Sequence, residues 1–243
     1  MHTKMSGSKV FLSKSNLYGR LLVLVLLMIV TIILTSESEY LFGGGERAYQ
    51  IGGFIYSVFM AGFIFFTVPM LAQLGYSVKV TKTVRILAFV SLAGSLYVSN
   101  PLLDVTSEVM RPYIFSFFHL TLLSGEILLA RVILKDIFGN KSTQTDHIWG
   151  AIVVFYLIVM VFSETFELIA LFNPGILGRV YLMGFPNYIQ IMMFSLNSIT
   201  GMDSLFPDAH PLLLKFGNLE NMIGNLFLVV ILGRLLSHPL DKS

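Results

Sequence analysis

The chain has 243 residues, 55% of them hydrophobic and only 12% charged, and it contains no cysteine. Soluble domains carry about 25% charged residues, so the composition excludes an ordinary soluble globule and points to an integral membrane protein. A formal net charge of +2 gives no basis for nucleic-acid binding, and without cysteine there are no disulfides, thiolate metal sites or cysteine nucleophiles.

Crossing a bilayer takes about 20 mostly apolar residues, and several segments approach that length. Residues 1–18 read as a cytoplasmic N-terminus, followed by a first span at 21–36. Basic residues precede this run as in a signal peptide. However, Glu37-Ser38-Glu39-Tyr40 supplies no small-residue cleavage site, so the run reads as a retained helix. Gly43-Gly44-Gly45 marks a flexible loop; spans at 51–74, containing Pro69, and at 84–99, containing Gly94, come next. A fourth span at 113–137 ends at Gly139-Asn140-Lys141-Ser142-Thr143-Gln144, the main internal boundary. Thr143 or Thr145 then offers an N-cap, and Asp146 a first-turn acid, for a fifth span at 148–172. The apolar stretch 188–199 is too short to cross and fits a re-entrant half-helix, and a last span covers 216–236. The chain thus divides into a four-helix transmembrane module at 19–138 and a pore-like module at 145–238. No internal repeat is evident, which disfavours an inverted-repeat transporter.

Charge placement tests the count of spans. With the N-terminus in the cytoplasm and loops alternating, only Arg47, Arg111, Arg179 and Lys215 of the 16 basic residues fall outside. That asymmetry is what the positive-inside rule expects. The outer loops instead hold Glu37, Glu39, Glu46, Asp104 and Glu108. The prediction is six spans with both termini cytoplasmic. The fourth helix has basic residues only near its cytoplasmic end, Arg131 and Lys135, so it is not read as a voltage sensor.

The last third carries a family resemblance. Thr145-Asp146-His147-Ile148-Trp149-Gly150-Ala151-Ile152-Val153-Val154-Phe155-Tyr156 resembles the opening of the outer pore helix in bacterial channels of the two-transmembrane potassium channel superfamily. Asn218-Leu219-Glu220-Asn221-Met222-Ile223-Gly224-Asn225-Leu226-Phe227-Leu228-Val229-Val230-Ile231-Leu232-Gly233-Arg234-Leu235 resembles their inner helix. The likeness covers residues 145–236; over the first four helices it is one of hydrophobicity and order. It implies a homotetramer in a bacterial inner membrane, with pore helices aiming their C-termini at a central ion path and four filter strands lining it.

In that family, carbonyl rings of a Thr-Val-Gly-Tyr-Gly strand replace the hydration shell of potassium. The matching stretch here is Thr200-Gly201-Met202-Asp203-Ser204, in which the two-glycine pattern is broken. Without gaps, Met202 and Ser204 replace the two glycines and Asp203 takes the aromatic position between them. With a one-residue deletion, Gly201 keeps the first glycine and Asp203 becomes the acid just after the filter. Asp203 then either contributes to a ring of carboxylates that attracts cations or bonds neighbouring groups behind the filter.

Four acids lie within or near spans. Glu164 and Glu167 share a face of the fifth helix, and Glu220 sits in the first turn of the sixth, where the helix dipole favours an anion. With Asn218 they read as pore support. Glu126 reads as buried polar packing or as a proton-linked group. His119 lies seven residues earlier on the same face, about 10.5 Å away along the axis, too far to chelate one ion together with Glu126. Packing or hydrogen bonding is the expected role of His119, and no metal site is predicted. Gly224 is read as either a gating hinge or a close-packing position.

The expectation is an all-α membrane protein with six spans plus a re-entrant pore helix and filter loop, assembled as a tetramer among membrane lipids. Its function reads as a passive cation channel, permeant to K+, Na+ or Ca2+, with no cofactor, no catalytic residues and no enzyme activity. The alternative is a non-conducting scaffold or accessory subunit that keeps the pore fold and assembles with a partner membrane subunit. An enzyme or carrier working through Glu126, Glu164 and Glu167 is a further rival.

Overall fold

The computed structural model describes residues 14–36, 72, 77–98, 110–139, 144–179 and 185–237. Within them all regular structure is helical: α1 Lys14–Ser36, α2 Val78–Val98, α3 Arg111–Ile137, α4 Gln144–Phe172, α5 Phe185–Thr200 and α6 Pro211–Ser237. The span expected at 51–74 lies outside the described residues except for Ala72, which is helical. Among the described residues, three stretches are long and apolar enough to cross a membrane, Pro112–Ile137, Ile148–Phe172 and Pro211–Arg234, and α1 adds the shorter apolar stretch Tyr18–Leu27. This fits a membrane protein.

Local chemistry explains the helix ends and the tolerance of polar residues. Pro112 stands in the first turn of α3, where its missing N–H costs nothing. The helix stops where the Phe138 and Gly139 amides close the last turn onto the Leu134 and Asp136 carbonyls, at 2.9 and 3.1 Å. Hydroxyls inside the apolar helices turn back on the helix itself. Ser116, Ser163 and Thr165 donate to the carbonyls four residues earlier at 2.8, 2.8 and 2.7 Å. In a medium without water, this internal bonding makes their presence tolerable.

The hub is α4, which packs against α1, α3, α5 and α6. Half of its apolar window (50%) is buried by neighbours, against 22% for α3 and for α6. On α1, Tyr18, Leu21 and Val25 are almost fully buried and form one stripe of the helix. They meet Val153, Val154 and Leu157 of α4 in a core that also takes in Ile133 and Ile137 of α3. The Tyr18 hydroxyl donates to Asp136 Oδ2 at 2.8 Å, tying α1 to α3. Gly150 brings α4 close to α3: a Cβ there would sit 2.7 Å from Ile137 Cδ1.

The geometry that matters most is at α5 and α6. With 16 residues, α5 is about 24 Å long. Its last turn faces the middle of α6: Ile199 lies against Gly224, 13 residues after Pro211 and so about 20 Å along that helix. Residues 201–210 then climb back, and the His210 amide donates to the Ile176 carbonyl just beyond the end of α4, at 2.8 Å. The segment therefore enters the bundle from one end, turns near mid-height, and leaves by the same end. A chain of rings, Phe162–Phe166–Phe194–Phe206 at centroid distances of 5.9, 5.1 and 5.4 Å, anchors the return, with the Arg179 guanidinium 4.8 Å from the Phe206 ring centroid.

Candidate functional site

Among the described residues, two groups of polar side chains interrupt this apolar framework, one at each end of α5. The first is the turn at its C-terminus. Gly201 has φ +71°, a left-handed conformation that glycine adopts without the Cβ penalty. The Met202 amide donates to the Asn197 carbonyl at 2.8 Å and the Gly201 amide to the Ser198 carbonyl at 3.1 Å. That pair of bonds is a Schellman cap, so Gly201 terminates the helix. Asn197 Nδ2 donates to the Asp203 carbonyl at 3.2 Å, and Ser204 Oγ accepts from the Phe206 amide at 3.1 Å. Thr200, Gly201, Met202 and Asp203 are exposed, and Ser204 is half-buried.

Neighbouring helices hold this turn in place. The Ser195 hydroxyl donates to the Val159 carbonyl of α4 at 2.9 Å and also reaches the Glu220 carboxyl on α6. Both Ser195 and Glu220 are fully buried, and Glu220 Oε2 has no hydrogen-bond partner among the described residues. Gly217 and Gly224 lie on one side of α6 and admit α5: a Cβ at Gly217 would stand 3.0 Å from Ser198 Oγ, and one at Gly224 would stand 3.1 Å from the Ile199 carbonyl oxygen. The helix runs unbroken through Gly224. Beside the turn, Asn218, Asn221 and Asn225 follow one another at helical spacing. Asn225 Nδ2 donates to Asn221 Oδ1 at 2.5 Å, and Asn221 Nδ2 lies 3.1 Å from where a Gly201 Cβ would be. Asn218 and Asn225 are exposed on a helix whose other exposed side chains include Leu219, Met222, Leu226 and Val229.

The second group lies near the start of α5 and joins three helices. His119 Nδ1 of α3 hydrogen-bonds Glu164 Oε2 of α4 and stands 3.4 Å from Glu167 Oε2. The Tyr188 hydroxyl of α5 donates to Glu164 Oε1 at 2.9 Å. The carboxylates are both 1% exposed and the imidazole 15%. Phe115 stacks on the imidazole at 3.9 Å between centroids. Each of the three can offer one ligand atom, and these atoms lie within 4.8 Å of one another. Glu126, two turns further along α3, is 4% exposed, and neither of its carboxyl oxygens has a hydrogen-bond partner among the described residues.

No family model, curated protein or solved structure matches the chain. Roles therefore rest on the geometry. Of the residues singled out by sequence, 200–204 form the capped turn, and Glu220 and Gly224 face α5 from α6. Asn218 is exposed, while Glu164 touches α5 through Tyr188. The meeting of His119 with Glu164 and Glu167 leaves no mark in the sequence, where helical spacing pairs His119 only with Glu126 on its own helix; the actual partners are supplied by another. Tyr188 and Ser195 were missed for the same reason.

Proposed function

We propose that the chain is the subunit of a passive cation channel, a homotetramer of six-span subunits with both termini cytoplasmic in a bacterial inner membrane. Residues 200–204 would face the ion path and α6 would line it. The observation that carries this reading is the exposed polar turn near mid-height of the bundle, flanked by the Asn218, Asn221 and Asn225 stripe. Polar non-helical backbone at that depth is tolerated only against protein or a water-filled cavity. A central cavity between copies of α6 would supply that water.

The backbone also bears on selectivity. Among the described residues, only Gly178 and Gly201 have positive φ, and Gly201 is used to cap α5. A repeated carbonyl ladder of the potassium type has no second left-handed position here, which favours selection by side-chain charge. Asp203, exposed at the turn, would place one carboxylate per subunit beside the ion path and draw in Na+, K+ or Ca2+. The test is the reversal potential of reconstituted protein under K+, Na+ and Ca2+ gradients. Asp203→Asn should lower Ca2+ permeability relative to K+ by about tenfold, the equivalent of about 1.4 kcal/mol. Unchanged selectivity in Asp203→Asn would remove the carboxylate ring from the mechanism.

A further inference from the structure

We propose that His119, Glu164 and Glu167 bind one divalent cation of the zinc class, which fastens α3 to α4 and, through Tyr188, to α5. The donor set is right for such an ion: an imidazole nitrogen suits zinc and its neighbours in the first transition row, and two carboxylates supply compensating charge. The spacing approaches what such an ion needs once His119 Nδ1 and Glu164 Oε2, which are in direct contact, part to admit it. Zinc bonds of about 2.0–2.2 Å at a tetrahedral centre place two ligand atoms about 3.4 Å apart. His119 Nδ1 and Glu167 Oε2 are 3.4 Å apart, and all three ligand atoms fit within 4.8 Å. Small rotations of the side chains would centre an ion among them.

Burial bears on the site as well. Both carboxyls are 1% exposed in an apolar span, where a charged group is costly, and a dication held between them would offset that cost. Tyr188 completes the outer layer by donating to Glu164 Oε1, which orients the carboxylate and leaves Oε2 directed at His119. Outer hydrogen bonds of this kind accompany metal-ligating groups in general.

Glu126 lies on the same face of α3 as His119, 4% exposed with no hydrogen-bond partner among the described residues for either oxygen. About two turns of rise separate it from His119, so it stands outside the ligand set.

The proposal is independent of conduction and is tested by metal content. Full-length protein purified without chelator should carry one zinc per chain by mass spectrometry. After stripping and re-titration against a chromophoric zinc chelator, His119→Ala and Glu167→Gln should each weaken Zn2+ binding at least 100-fold. Tyr188→Phe should weaken it about 10-fold. Because substitutions in a buried cluster can impair folding, the wild type is also loaded with Co2+, which should develop the intense visible absorption of a tetrahedral site. Monodisperse wild-type protein that takes up no stoichiometric zinc would overturn the proposal. So would a weak octahedral cobalt spectrum, or wild-type affinity in folded His119→Ala. Those results would leave a plain histidine–glutamate ion pair.

Discussion

Replacing Ser195 with alanine isolates the polar contact that holds α5 between α4 and α6. The hydroxyl is fully buried and bonds the Val159 carbonyl and Glu220. Glu220 Oε2 already has no hydrogen-bond partner among the described residues, so Ser195→Ala leaves both oxygens of a buried carboxyl bare. Stranding a buried acceptor costs about 1–3 kcal/mol, a shift of about 5- to 140-fold in the folding equilibrium. Removing both partners is different: Ser195→Ala with Glu220→Leu exchanges the polar pair for packing and should fall within about 1 kcal/mol of wild type. Equilibrium unfolding in mixed SDS micelles reads this directly. The chain's single tryptophan, Trp149, packs against the core from α4 and reports the transition. Wild-type stability in Ser195→Ala, or a double substitution less stable than the single one, would show that Ser195 does not carry this contact.

Two further substitutions test how the turn is held. Gly201→Ala forces a Cβ onto φ +71° and should cost about 1–2 kcal/mol, with faster hydrogen exchange at the Met202 amide because its bond to Asn197 depends on the cap; unchanged exchange would count against the cap. Gly224→Ala drives a Cβ into the Ile199 carbonyl and side chain and should destabilise by about 1–3 kcal/mol in the same micelle assay. Gly233→Ala, with nothing within 4 Å, should be neutral or stabilising by up to about 1 kcal/mol. Equal effects at the two glycines would show that Gly224 is not a packing position.

Hydropathy located the described helices well and their ends less well. Residues 113–137, 148–172 and 188–199 all fall inside α3, α4 and α5, because a run of apolar side chains marks what must avoid water. The shortfalls have one physical source: a helix continues wherever its backbone bonds are kept, whether or not its side chains are apolar. Thus α2 begins at Val78 and carries Lys79, Lys82 and Arg85, and α1 begins at Lys14 rather than at the first leucines. The turn at 200–204 was visible because a small residue followed a short apolar helix. The His119 cluster was not visible, since 45 positions separate His119 from Glu164 and only the register of α3 against α4 joins them. For Ser195 and Glu220, 25 residues apart, the same limit applies.

The most direct test of the central claim is recording from wild-type protein in planar bilayers under a cation gradient. Unitary current steps, carried by cations and absent from protein-free membranes, are the predicted result. Silence from protein shown to be folded and tetrameric in the same lipids would contradict it, and would favour a pore fold kept for assembly alone.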